Sequence, residues 1–198
     1  MKKNLPFLFF LFLLFLVGCA GTDIGKFGPY NISAEGDDTR LMLNGFDPVA
    51  YQTEQGLVRG KNATKAEFDG VTYRFGSETN RTAFLQSPER FVPQFGGFCA
   101  NGIVYGIPWG GDGDQWKIID GRLTIFGGQA SRNYFLMHEK PNLKLAQQYW
   151  NDEIKGNGAV WQRYKRLLLR VPHYKTGTEL EAEWQQTRLA QPSPVRAQ

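Results

Sequence analysis

The sequence predicts an α+β fold in which two ββα (hairpin–helix) units pack together and are followed by C-terminal helices. Two segments, 65–76 and 115–127, each contain two short strand-like runs joined by an Asp-Gly pair, which is a strong hairpin signal. Each hairpin precedes a stretch with helical character. Beyond Pro141, apolar residues recur at helical spacing. These three observations predict the fold class.

The helix after the first hairpin has a recognisable start. Ser77 is a suitable N-cap, and Phe84 and Leu85 lie on the apolar side of the helix that it would begin. Pro88 is well placed as the first residue of a further helix, because its missing N–H would have no partner there. Both helices are therefore expected to pack on the first hairpin.

The two hairpin–helix segments also resemble each other. At an offset of 51, seven positions are identical: Asp69/Asp120, Gly70/Gly121, Phe75/Phe126, Gly76/Gly127, Arg81/Arg132, Phe84/Phe135 and Leu85/Leu136. Shared turn chemistry accounts for the Asp-Gly pairs in any two hairpins. It explains the matched glycines and arginines less well, and these favour an internal duplication. The matched Phe and Leu pairs are expected to be core residues.

Two apolar stripes follow in the C-terminal part. They consist of Leu145, Tyr149 and Ile154, and of Trp161, Tyr164, Leu167 and Leu168. The glycines of the Gly-Asn-Gly segment at 156–158 separate them. Such stripes are more often core packing than a cofactor site, so both are expected to face the interior.

The N-terminus is expected to carry a targeting signal. Lys2 and Lys3 precede an apolar run at 5–17, which is too short to span a bilayer but suits a signal peptide. The run ends in LVGC at 16–19, which resembles the lipobox of bacterial lipoproteins and implies acylation of Cys19. An ordinary secretory signal would prefer an Ala-x-Ala-like site. Ala20 after the cysteine implies delivery to the outer membrane, with the protein on its periplasmic face.

The chain is expected to divide into a signal peptide (1–18), a flexible tether (19–40), a domain (41–140), a helical extension (141–190) and a disordered tail (191–198). The tether is rich in Gly, Ser, Asn and Asp, so the folded part is expected to begin near Leu41. Without the signal peptide the charge is 21 − 19 = +2, because Lys2 and Lys3 are lost. A charge of +2 is not the footprint of a nucleic-acid-binding protein, which needs a clustered basic face, so no nucleic-acid partner is predicted.

Several motifs resemble the YHS-domain family. They read GFDPVAY at 45–51, FDGVTYRFGS at 68–77, PERF at 88–91, PQFGGFCA at 93–100 and WKIIDG at 116–121, with Asn80, Arg81 and Phe84 between them. The similarity covers roughly 41–135 and is greatest to a bacterial secreted and lipoprotein branch with a Pro-Gln-(Tyr/Phe)-Gly-Gly-(Tyr/Phe)-Cys-Ala signature. It identifies Asp47, Asn80, Arg81, Gly96 and Gly97 as motif residues.

The better-known YHS domains belong to heavy-metal proteins and carry metal-type cysteines at three places. Those places are Ala50, Gly76 and Asn80 in this chain. Copper(I) and zinc sites need thiolates or imidazoles at such spacing, and alanine and glycine offer no donor atom. The sequence therefore predicts no heavy-metal centre of that type and no cofactor.

Cys99 is the only thiol expected in the mature chain, since Cys19 would be acylated. If a helix begins near Phe98 after the flexible pair Gly96-Gly97, its free N–H groups would favour a thiolate at Cys99. The resemblance adds that some members of the branch have selenocysteine at this position. The alternative is a buried, inert cysteine enclosed by neighbouring phenylalanines, because free cysteine is among the most buried residues.

Two function hypotheses follow, and neither establishes an enzyme. In the first, a lipid-anchored envelope protein uses Cys99 as a redox-active thiol. No second mature cysteine exists, so Cys99 would cycle through a sulfenic acid or a mixed disulfide with an external thiol reductant. In the second, the protein is a non-catalytic module that binds a ligand, a metal or an envelope partner, and Cys99 is a core residue. Exposure of Cys99 distinguishes the two.

Overall fold

The computed structural model describes residues 30–53 and 56–190. Over these residues the fold is mixed α+β, with β-hairpins followed by C-terminal helices, which confirms the predicted fold class. The predicted signal peptide, the lipidation site at Cys19 and the tail at 191–198 lie outside the described residues. None of the described helices is long and apolar enough to cross a bilayer.

A hairpin stands where the sequence predicted the end of a tether. Strand β1 (Ile32–Glu35) pairs antiparallel with β2 (Asp38–Met42). Asp38 is buried and accepts hydrogen bonds from Arg74 Nε at 2.8 Å and from Lys65 Nζ at 2.6 Å. The expected start of the folded part near Leu41 is therefore too late. Polar residues at 32–40 are ordered because partners distant in sequence satisfy them.

The first ββα unit completes a four-stranded sheet. It consists of β3 (Lys61–Phe68), β4 (Val71–Phe75) and α1 (Glu78–Gln86). The strand order is β1-β2-β4-β3, and β4 runs parallel to β2 and antiparallel to β3. Ser77 is the predicted N-cap of α1, since its hydroxyl accepts a bond from Asn80 N at 3.1 Å.

Two short helices connect the units. Helix α2 (Pro88–Phe91) begins at Pro88, as predicted. A 3₁₀ turn at Gln94–Gly97 leads to α3 (Ala100–Ile103), for which Cys99 is the N-cap residue.

The second ββα unit repeats the first. It consists of β5 (Asp112–Ile119), β6 (Arg122–Phe126) and α4 (Gln129–Met137), and each bound lies 51 residues after its counterpart. The strand register is also repeated, including an irregularity at the start of each hairpin. This agrees with the predicted internal duplication.

Both hairpins turn at their Asp-Gly pairs. The φ angles are 52° and 69° at Asp69 and Gly70, and 49° and 72° at Asp120 and Gly121. Two successive left-handed residues define the tight turn that matches strand twist, and Asp and Gly tolerate this conformation better than most residues. The sequence prediction of both turns is confirmed.

The C-terminal part is helical. Helix α5 (Glu139–Tyr149) continues into a π-helical turn at Trp150–Ile154, and α6 (Ala159–Leu168) and α7 (Gly177–Ala190) follow.

The hydrophobic interior has two parts. The first core lies on the four-stranded sheet and also takes in Leu123 and Ile125 of β6. The second core surrounds Phe135 of α4 and combines α3 with residues of the C-terminal helices. Buried C-terminal members of the second core are Leu143, Ala146, Ile154, Val171 and Leu180.

One of the two predicted apolar stripes faces the core. Ile154 is fully buried, and Leu145 and Tyr149 pack against the second core. The prediction for the second stripe is wrong, because Trp161, Tyr164, Leu167 and Leu168 are all exposed on α6. Among the matched pairs, Phe84 and Phe135 are core residues, whereas Leu85 on α1 is exposed.

Candidate functional site

Cys99 follows a left-handed turn. The φ angles of Phe95, Gly96 and Gly97 are 56°, 59° and 78°, and Phe98 returns to extended backbone. Position 97 favours glycine both because its φ angle is positive and because a Cβ there would lie only 3.0 Å from Met42 Sδ. The backbone N–H of Cys99 then donates to Trp109 O at 3.0 Å.

The side chain of Cys99 is enclosed. Only 2% of the residue is exposed, and its thiol is free. A Cβ placed on Gly127, at the end of β6, would lie 3.4 Å from Cys99 Sγ. The helix that Cys99 caps has only four residues. The structure thus shows the buried cysteine that the sequence left as one of two alternatives.

The same turn occurs in the first unit. Leu43, Asn44 and Gly45 have φ angles of 55°, 51° and 80°, and Phe46 is again extended. An offset of 52 relates this turn to the one at 95–97. It therefore places Asp47 at the position of Cys99. In agreement, Asp47 N donates to Val58 O at 2.9 Å, much as Cys99 N donates to Trp109 O.

Asp47 is the centre of a buried hydrogen-bond network. Its Oδ1 accepts from the N–H groups of Val49 at 2.9 Å and Ala50 at 3.3 Å. Its Oδ2 accepts from Gly76 N at 2.8 Å and from Asn80 Nδ2 at 2.7 Å. Four donors from three segments therefore converge on one fully buried carboxylate.

This network lies where the resemblance would place metal-type cysteines. Ala50, Gly76 and Asn80 all contact Asp47, and Asn80 presents an N–H donor. An amide donor and two residues without a side-chain ligand do not suit a soft metal ion. Within 30–53 and 56–190, no three His, Cys, Asp or Glu side chains form a group that could hold a metal ion. The network instead holds the loop at 47–50 against the end of β4 and the first turn of α1.

The structure brings only some of the predicted motif residues together. Asp47 and Asn80 are bonded to each other, whereas Gly96 and Gly97 shape the turn before Cys99 in the other unit. Arg81 lies on α1, where its Nε donates to Lys65 O at 2.8 Å.

The matched arginines behave differently in the two units. The Nε of Arg81 has its carbonyl partner in the first unit. The Nε of Arg132 is buried and has no hydrogen-bond partner among the described residues. Arg132 lines a cleft between the units, so the difference marks that cleft as a candidate ligand site.

The cleft has a volume of about 730 Å³, within the usual range of ligand pockets. Its cations are Arg90, Lys117 and Arg132, and Tyr51 and Trp116 contribute aromatic rings. Lys117 is paired with Glu139 at 2.6 Å. Arg90 and Arg132 therefore supply positive charge beside an aromatic wall, a combination that suits a small anion.

Tyr51 is a fixed part of this wall. Its hydroxyl donates to Gly113 O at 2.7 Å, and its ring meets that of Trp116 edge-on at 5.1 Å. Burial, together with the negative Asp112 and Asp114, raises the pKa of Tyr51 above its ordinary value. Tyr51 therefore remains a neutral hydrogen-bond donor.

Sequence reasoning missed the cleft and the equivalence of Asp47 with Cys99. The Gly-Phe pairs at 45–46 and 97–98 were an available signal for the equivalence, but they match only at an offset of 52. For the cleft, the only signal in the sequence was the match of Arg81 with Arg132. Such a match does not show which of the two arginines lacks a hydrogen-bond partner.

No protein-family model, curated protein or solved structure matches this chain. The similarity to YHS domains therefore stays a prediction carried by the motifs alone.

Proposed function

We propose that this protein is a lipid-anchored, non-catalytic binding module of the bacterial cell envelope, in which Cys99 is a structural residue. The observation that carries the proposal is the burial of Cys99, of which only 2% is exposed. A redox thiol must be reached by an oxidant and by an external thiol. The burial therefore supports the binding module over the redox protein.

The module binds a small anionic ligand in the cleft between its two units. Support comes from the three cations Arg90, Lys117 and Arg132 and from the unpartnered Nε of Arg132. A buried donor without a partner is costly, and a ligand that engages the guanidinium lowers that cost. The aromatic wall of Tyr51 and Trp116 gives the ligand an apolar contact as well.

Anion binding is tested on soluble protein that begins at Ala20, which retains every described residue. Inorganic phosphate, citrate and a set of dicarboxylates are titrated by calorimetry and by thermal shift. We expect at least one anion to bind, and Arg132→Gln to weaken its affinity by about tenfold, as for a lost charge-assisted bond.

Arg81→Gln is the matched control, because Arg81 holds the equivalent position in the first unit. It should leave the affinity within about twofold, because Arg81 does not line the cleft. No binding by any anion, or equal losses in the two variants, would contradict the proposed ligand site.

The lipid anchor is tested separately, by growing expressing cells with an alkyne-labelled palmitate. Cys19→Ala should abolish labelling, whereas Cys99→Ala should leave it intact, because only acyl chains at the N-terminal cysteine are proposed. Labelling that survives Cys19→Ala would refute the anchor.

A further inference from the structure

Helix α6 has its polar side toward the protein and its apolar side toward solvent. Gln162 is 2% exposed and Arg166 is 9% exposed, whereas Trp161 and Leu168 are 71% and 81% exposed. At about 100° per residue, the apolar positions 160, 161, 164, 167 and 168 span an arc of roughly 120°. The arc lies opposite the buried polar side. We call these five residues the α6 face.

Specific bonds hold this orientation. Gln162 Nε2 donates to Gly106 O at 2.9 Å and to Glu153 Oε2 at 3.0 Å. Glu153 also accepts from Lys165 Nζ at 2.8 Å and is paired with Arg166. Because these hydrogen bonds and ion pairs lie on the polar side of the helix, turning α6 to bury its apolar side would break all of them. These bonds therefore hold the α6 face toward solvent.

A groove continues the α6 face. It has a volume of about 370 Å³ and lies between α6, Trp109 and Tyr174. Arg163 and Arg170 line it, and their guanidinium groups lie over the rings of Phe98 and Tyr174 at 5.9 Å and 4.1 Å. Apolar contacts and cations thus occupy the same surface.

The segment that contains the α6 face carries charges of one sign, although acidic residues from outside the segment pair with Lys165, Arg166 and Lys175. Segment 155–175 contains six Lys and Arg residues and no Asp or Glu, although the whole chain has 19 acidic residues. Exposed Trp, Tyr and Leu with flanking basic residues on one helix are typical of helices that lie in a membrane interface. The excess of Lys and Arg favours a membrane whose headgroups are anionic over a membrane that contains only neutral phospholipid.

We propose that the α6 face docks onto a membrane surface that contains anionic phospholipid. The apolar residues enter the boundary between headgroups and acyl chains, and Arg163 and Arg170 contact headgroup phosphates. The docking uses residues of the folded domain and does not depend on acylation of Cys19 or on the anion cleft.

The test uses soluble protein that begins at Ala20 and flotation with vesicles of phosphatidylglycerol and phosphatidylcholine in equal parts. We expect binding that weakens in high salt, and weaker binding to vesicles of phosphatidylcholine alone. The double variant Trp161→Ser/Leu168→Ser should reduce vesicle affinity by about tenfold or more. Arg163→Gln/Arg170→Gln should reduce binding and its dependence on salt.

The matched control is Leu57→Ser/Leu85→Ser, which removes two leucines exposed elsewhere on the surface. It should retain vesicle binding. All variants should keep the circular dichroism spectrum and the anion affinity of the unsubstituted protein, which separates this proposal from the binding function. Absence of vesicle binding, or equal loss in the control, would overturn membrane docking. So would a dimer in sedimentation that Trp161→Ser/Leu168→Ser dissociates, because the face would then cover a second copy.

Discussion

Two residues at equivalent positions have different consequences for stability. The carboxyl group of Asp47 accepts hydrogen bonds from four N–H donors, whereas Cys99 Sγ makes no hydrogen bond within the described part of the chain. A buried carboxylate with several donors is costly to replace, because each donor would lose its partner. A buried thiol acts mainly as a small apolar side chain.

Asp47→Ala is expected to lower the free energy of unfolding by about 3 kcal/mol or more, because it leaves buried donors without an acceptor. Asp47→Asn should cost about 2 kcal/mol, since one amide oxygen replaces two carboxylate oxygens. Urea unfolding measures both. Asp152→Asn, at an exposed carboxylate, is the control and should change stability by less than about 0.5 kcal/mol. A change that small in Asp47→Ala would contradict the role assigned to the network.

Cys99 should react with a maleimide only when the protein opens. We expect the labelling rate of the native Ala20 protein to be at least about a hundredfold below that of the unfolded chain, and to rise with urea. Fast labelling of the native protein would favour the thiol hypothesis and would contradict the proposed structural role.

At the scale of elements, the ion pairs of Glu153 help to determine which side of α6 faces the protein. Burial acts to raise the pKa of Glu153, but hydrogen bonds from Lys165 and Gln162 and the positive charge of Arg166 lower it overall. Because the folded-state pKa is below the unfolded value of about 4.3, the stabilisation is fully present above that pH. It is lost as the pH falls through the folded-state pKa.

Glu153→Gln is therefore expected to lower the free energy of unfolding by about 2 kcal/mol at neutral pH, a value reduced for partial exposure of the site. The difference from the unsubstituted protein should shrink as the pH falls below about 4, because protonated Glu153 resembles glutamine. Thermal unfolding against pH measures this. Glu67→Gln, on the solvent side of β3, should show no comparable pH-dependent difference.

At the scale of the whole molecule, the second core joins the second ββα unit to the C-terminal helices. Phe135 belongs to the second ββα unit, yet Leu143, Ala146 and Ile154 pack in the same cluster. The predicted parts 41–140 and 141–190 therefore share one interior. Burial of a large apolar side chain contributes about 1.5–3 kcal/mol, so the helices contribute on the order of a small domain's whole stability.

Truncation after His138 should abolish cooperative thermal unfolding and leave a protein that aggregates, because the second core loses its cover. Truncation after Lys175, which removes α7 and only Leu180 from the buried set, should lower the melting temperature but keep a cooperative transition. Calorimetry distinguishes the two. A cooperative transition in the shorter protein would contradict a shared core.

The sequence by itself determined the features that depend on near neighbours. The Asp-Gly turns, the N-cap at Ser77 and the helix start at Pro88 depend on residues close along the chain, so their patterns predicted them. The repeat at an offset of 51 was visible because the same local patterns occur twice. Propensity, capping and turn geometry act over a few residues, and for this reason a single sequence reveals them.

Only the tertiary structure decided the rest. The donors to Asp47 from Gly76 and Asn80 come from 29 and 33 residues away, and no local pattern specifies such a meeting. For α6, the periodicity showed an apolar side and a polar side but could not show which side faces inward. That choice depended on Glu153 and Gly106, which lie outside α6 and accept hydrogen bonds from its polar side. Local interactions fix the elements, and the satisfaction of buried polar groups fixes how they are oriented.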